Sequence, residues 1–297
     1  MTPETIADVL AEAFGADPWP SPLRRFTGDK AHLISLLKKE MRGKQEAETI
    51  KTGLILGSLV LGEAAERVFE ATFRTKLSTS EIQLLDQRQS RSDTDYKLLN
   101  GDGRQLYRIN IKFHGTQFRK AREMVGLDPD DCFPLATYKI KSALDKQDQE
   151  HLPYLFVIVT GTEISAEAIQ RNMPGVFLEA AHLGKKIIRS GKRALEEKIV
   201  ARFIDSESDR FQEVIDAINE ARWYVISARR AEKLMKDNLF DRVFALRMRS
   251  FNRAYRNAEL DMHFSFSQDM MPLEEFLKTI GKEGHFKVVG MLERGTI

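Results

Sequence analysis

Two aspartates on one short stretch and an Asn-x-Lys on the next are the residues in this chain best spaced to do chemistry together. They lie between Ser90 and Gly115, in SRSDTDYKLLNGDGRQLYRINIKFHG. In YRINIKF, Tyr107, Ile109, Ile111 and Phe113 alternate with Arg108, Asn110, Lys112 and His114, the period of a strand with one face in a core. With NGDG as a hairpin loop and Leu99 facing Arg104, Tyr96 lies opposite Tyr107, Asp95 opposite Arg108 and Asp93 opposite Asn110. On that register Asp93, Asp95, Asn110 and Lys112 share one polar patch. Carboxylates and an amide oxygen are hard donors of the kind Mg²⁺ takes, usually one or two carboxylates with water and phosphate completing the shell. A lysine beside them can hold a water nucleophile or steady charge on a phosphate, which together is the layout of metal-assisted phosphodiester hydrolysis. The same alternation also describes a solvated sheet face, with Asp95 and Arg108 as a surface ion pair and Asn110 and Lys112 facing water.

The elements that must position this patch follow from local pattern. Thr2-Pro3-Glu4 opens a helix that ends near Gly15. Residues 29 to 50 read as a second helix, and Gly57 onward, GSLVLGEAAERVFEATFRTK, as a third with Leu59, Ala65, Val68, Phe69 and Phe73 on its buried side. After the hairpin, PLATYKIKSALDK from Pro134 to Lys146 reads as helix, and PYLFVIVTG from 153 to 161 as a strand buried on both faces. From Ser165 to about Asp237 the pattern is mostly helical, with SAEAIQ opening on an N-cap serine. FDRVFALRMRSF and DMHFSFS can each supply a strand, PLEEFLKTI a short helix and FKVVGML a final strand. The order helix, strand, strand, helix, strand predicts an α/β or α+β sandwich.

Composition narrows the class. With 297 residues and 42% hydrophobic content, the chain can bury a substantial core. A single cysteine, Cys132, excludes an internal disulfide framework and any C-x-x-C metal site, and predicts a reducing, cytoplasmic setting. The opening MTPETIADVLAEAFG lacks the basic start and apolar run of a secretory signal, and no apolar run approaches a membrane span. Charge is unevenly placed. From Arg104 to Arg122 there are six Lys or Arg and no acid, and from Arg222 to Arg256 ten Lys or Arg against three acids, interleaved with Trp223, Tyr224, Phe240, Phe244, Phe251 and Tyr255. Basic fields with aromatics suit a polyanion such as DNA, although helix faces balanced by acids folded nearby give the same pattern. There is no H-x-x-x-H zinc spacing and no G-x-x-x-x-G-K-[ST] phosphate loop.

Taken together, GEAAERVFE, TDYKLL and INIK resemble the PD-(D/E)XK nuclease superfamily, the fold of many restriction endonucleases and of Holliday-junction resolvases. The leading helix carries Glu66, with Glu63 as the weaker candidate. Asp95 opens the next strand, and Asn110 and Lys112 stand in the (D/E)-x-K strand. Glu66 and Asp95 are 29 residues apart, and Asp95 and Asn110 are 15 apart. The resemblance covers roughly residues 50 to 165. It implies a restriction-endonuclease-like core over 51–165, preceded by a helical region at 1–50 and followed by a helical or mixed region at 166–297 for DNA recognition or dimerisation. It implies a Mg²⁺-dependent endonuclease, with Mn²⁺ as a substitute, acting on double-stranded DNA as a homodimer, in restriction or phage defence, with repair or junction cleavage as the alternative. In that picture Asp95 and position 110 bind metal with Glu66 and Asp93, and Lys112 orients the attacking water. Ser92, Arg108, His114, Gln117, Arg119 and Lys120 meet nucleic acid, Ser90 helps position a phosphate, and Tyr138 and Lys139 flank the site.

The sequence departs from that pattern at Asn110, where the superfamily has Asp or Glu. An amide still offers a carbonyl oxygen but removes one negative charge. Three readings follow: a natural variant in which Asp93 supplies the charge, a degenerate nuclease fold that binds nucleic acid without cutting it, or an inactivated form in which an Asp was changed to Asn.

Overall fold

The computed structural model describes residues 51–77, 81–88, 94–114, 118–119, 121–160, 208–247 and 259–283, with single positions at 201, 204 and 292. The helices expected before residue 50, the SAEAIQ helix and the FKVVGML strand lie outside the described residues.

A six-stranded mixed sheet forms the centre, in the order β1 (Gln83–Asp86), β2 (Tyr96–Leu99), β3 (Gln105–His114), β5 (Tyr154–Thr160), β6 (Arg222–Ser227), β9 (Met271–Pro272). All neighbours are antiparallel except β3 and β5, which run parallel. A parallel pair needs a crossover, and here it contains β4 (Cys132–Ala136) and the helix α3 (Thr137–Glu150), after the short α2 (Ala121–Val125). A second sheet has the order β4, β8 (Glu259–Ser265), β7 (Val243–Arg247).

Alternation along β5 shows how the layers are built. Leu155, Val157 and Val159 point into one core, where they meet Tyr107, Ile109 and Ile111 of β3. The same core takes Val60, Val68 and Phe69 of α1 (Lys51–Lys76), Phe211 and Ile218 of α4 (Ser208–Asn219), and Phe276 of α8 (Leu273–Glu283). Tyr154, Phe156 and Ile158 point into the other core, with Ile140 of α3, Leu234 of α5 (Ala228–Asp237) and Phe133, Met262 and Phe264 of the second sheet. Both faces of β5 are therefore covered, as its unbroken apolar run predicts. The four-residue α6 (Leu239–Arg242) leads into β7, and α7 (Phe266–Asp269) follows β8.

Three expectations are corrected. Helix α1 begins at Lys51, before Gly57. PLATYKIKSALDK does not start as helix: Pro134 to Ala136 belong to β4, and α3 begins at Thr137. Proline is tolerated there because β4 is an edge strand of its sheet and can spare an N–H. Finally, RWYVIS, inside the region read as helical, is strand β6 and pairs with β5 along its length. Both sheets thus draw strands from both sides of residue 165, so the boundary expected there runs through a shared core. No helix among the described residues is long and apolar enough to cross a membrane.

Candidate functional site

The hairpin loop sets the geometry. Asn100 closes it twice, its N–H donating to the Arg104 carbonyl (2.9 Å) and its Oδ1 accepting from the Arg104 N–H (2.8 Å). Gly103 takes the left-handed conformation the turn requires, at φ 77°. Leu99 pairs with Gln105, not Arg104, and an irregularity between Leu98 and Leu99 then brings Leu98 level with Tyr107 and Tyr96 level with Ile109. The register is displaced by two residues from the expected one. Two is the strand period, so faces are preserved, but Asp95 is carried past Arg108 to the level of Asn110.

Asp95 stands at the entry to β2, half-buried. Its Oδ2 accepts a 2.6 Å hydrogen bond from the Ile111 N–H, which ties the carboxylate to the backbone between Asn110 and Lys112. Lys112 turns its ammonium back onto the Ile111 carbonyl at 3.1 Å. Enclosure of that ammonium pushes its pKa below the usual lysine value, against the pull of Asp95 and Glu66. Glu66 reaches the same locality from α1. Its pKa is raised from 4.5 to about 7, first by burial and then by the Asp95 charge, with Arg88 opposing. Asp95, Lys112 and Glu66 are thus mutually coupled charges, with Asn110 level with Asp95 on β3. Glu63 instead pairs along the helix with Arg67 at 2.8 Å.

The remaining expected residues divide. Arg108 is not available to a phosphate: it is 3% exposed, forked onto Glu150 (Nε to Oε2 2.9 Å, with a second contact from Nη2 to Oε1), and it reaches Thr94 Oγ1 at 3.4 Å. The polar side of β3 is covered at this point by the layer that carries α3, and a guanidinium shut in there must find a carboxylate. His114 packs against the rings of Phe133 and Phe266, centroids 5.4 and 5.9 Å away, not on an open surface. Arg119 is exposed. Tyr138 is exposed and Lys139 half-buried in the first turn of α3. Asp93, Ser90, Ser92, Gln117 and Lys120 lie outside the described residues.

Sequence reasoning missed Arg88 and Glu150. Arg88 follows β1 and binds Asp86, Glu66 and Glu70, while Glu150 closes α3 over Arg108. Neither role carried a signal, because Arg88 meets Glu66 across 22 residues and Glu150 meets Arg108 across 42.

Among the described residues no group of three or more His, Cys, Asp or Glu is placed to hold a metal ion. The carboxylates of Asp95 and Glu66 feel one another's charge, and Asn110 stands level with Asp95 in the β2–β3 register. Compared with models of known protein families, with curated sequences and with solved structures, the chain gives no match.

Proposed function

We propose that this chain is a Mg²⁺-dependent endonuclease acting on double-stranded DNA, with a restriction-endonuclease-like core and a role in restriction or phage defence. One observation carries the reading. Asp95, Lys112 and Glu66, drawn from two strands and a helix, feel one another's charge, and Asn110 stands level with Asp95 in the register. The burial and mutual repulsion that drive Glu66 toward protonation are relieved by a cation between it and Asp95. The donor set fits a small hard ion: all oxygen, with no more than two carboxylates from the protein. Asp95 and Glu66 would hold it, with the Asn110 carbonyl as the weak third donor.

When bound, Mg²⁺ supplies a Lewis acid for the phosphate and lowers the pKa of a coordinated water. The chain's own groups do the rest. Asp95 is aimed by the Ile111 N–H. Lys112, held against its own strand and depressed in pKa by enclosure, is suited to orient a water and to take up or return its proton. Exposed cations such as Arg119 and Lys233 can meet backbone phosphates.

A second reading, a nuclease fold that binds DNA without cutting it, is favoured by one feature, the neutral amide at position 110. Cleavage of phage and plasmid DNA with Mg²⁺ or Mn²⁺ separates the two. The expected result is that Asn110→Asp yields discrete fragments and that Asn110→Asp with Lys112→Ala yields none. If Asn110→Asp binds DNA in a salt-dependent way but leaves it intact, the enzymatic reading is lost and the binding one stands.

A further inference from the structure

We propose that Arg88 is a built-in rival of the divalent metal for Glu66, so that this carboxylate is released to the ion only by breaking its pair with the guanidinium. The inference rests on the metal-dependent reading above and concerns how its site is loaded.

The Arg88 side chain is seated mainly by its neighbour. Its Nε lies 3.0 Å from both Asp86 carboxylate oxygens and its Nη2 2.5 Å from Asp86 Oδ2, while the Arg88 N–H donates to Asp86 Oδ1 at 2.9 Å. The guanidinium carbon stands 5.2 Å from the centroid of the Tyr96 ring. That ring is itself fixed, its hydroxyl donating to the Glu66 carbonyl at 3.3 Å. From this seat one N–H, on Nη1, reaches Glu66 Oε2 at 3.2 Å, and Nη2 lies 3.5 Å from Glu70 Oε2. Glu70 already has a stronger partner, Arg74 at 2.6 Å. The bond to Glu66 is therefore a single, longer contact from a cation that is anchored elsewhere.

That arrangement has two consequences. Glu66 can turn from Arg88 without unseating the arginine, because Asp86 and Tyr96 retain it. The guanidinium then stays where it is, 22% exposed, placed to take Glu66 back when the ion leaves. Arg88 is thus a positioning residue acting through Glu66. Losing that one charge-assisted contact frees Glu66 for the ion and changes affinity roughly tenfold.

The test is a calorimetric titration of the full chain with Mn²⁺, for the parent, Arg88→Gln, Glu66→Gln and the double variant. Arg88→Gln should tighten Mn²⁺ binding roughly tenfold by freeing Glu66, and in the Glu66→Gln background the same change should do nothing. A protein that lost Arg88 for structural reasons alone would show no such dependence on Glu66. Asp86→Asn provides an opposite perturbation: with its anchor weakened, Arg88 turns more fully onto Glu66 and Mn²⁺ binds more weakly. Unchanged or weaker binding by Arg88→Gln, tightening that persists without Glu66, or tightening by Asp86→Asn would each overturn the proposal while leaving the metal site in place. If neither the parent nor any variant binds Mn²⁺, the metal-dependent reading falls with it.

Discussion

Stability should fall as pH rises from about 4.5 to about 7, through Glu66. Its carboxyl, ordinarily near 4.5, is raised to about 7 by burial and by the adjacent Asp95 charge. Between those values the unfolded chain has lost the proton and the folded chain has kept it. The folded state then binds more protons, so unfolding becomes easier as pH increases. The contribution is fully present below 4.5 and is gone above about 7. At 1.36 kcal/mol per pH unit it amounts to about 3 kcal/mol. The Glu66 side chain is 22% exposed, so water screens the effect only in part. Urea unfolding at several pH values and constant ionic strength, on the parent and on Glu66→Gln, isolates this group from other titrations. The parent should lose about 3 kcal/mol relative to the variant across the interval. Parallel curves would refute the argument. A relative gain with pH would mean that Arg88 outweighs burial and holds Glu66 ionised.

Other expectations follow from single contacts. Glu150→Gln strips the buried Arg108 of its fork and should cost about 2 kcal/mol by urea unfolding, less than for a fully enclosed pair because Glu150 is itself 40% exposed; replacing both partners by Met should restore most of that loss. Lys112→Met removes an enclosed ammonium and should raise stability by about 1 kcal/mol, while abolishing any cleavage gained through Asn110→Asp. Gly103→Ala meets no neighbouring atom but must hold φ 77°, so a loss of about 1 kcal/mol is expected from backbone strain alone, with Gly103→Asn closer to the parent in a thermal melt.

Local pattern was enough for β3 and β5, for the helical character of α1, α3 and α8, and for β7 and β8, because alternation and helical periodicity are recorded within each segment. It was also enough to put Asp95, Asn110 and Lys112 on one side of a hairpin, since a displacement of two residues leaves every side chain on its face. Three things were settled only when distant segments packed. The register depended on Asn100 closing the loop and on the irregularity at Leu98, and it brought Asp95 level with Asn110 instead of Arg108. Strand β6 was recognisable only as a partner of β5, because RWYVIS sits between two helices and shows no clean alternation of its own. The fate of the polar side of β3 was decided by β4, α3, α5 and β8, which pack on that side of the sheet. An alternating strand specifies that one face is apolar, but not whether the other meets water or a second layer. That is why Arg108, expected at a phosphate, is a buried ion pair with Glu150, while Lys112, four residues on along the same face, lies among the charges of the candidate site.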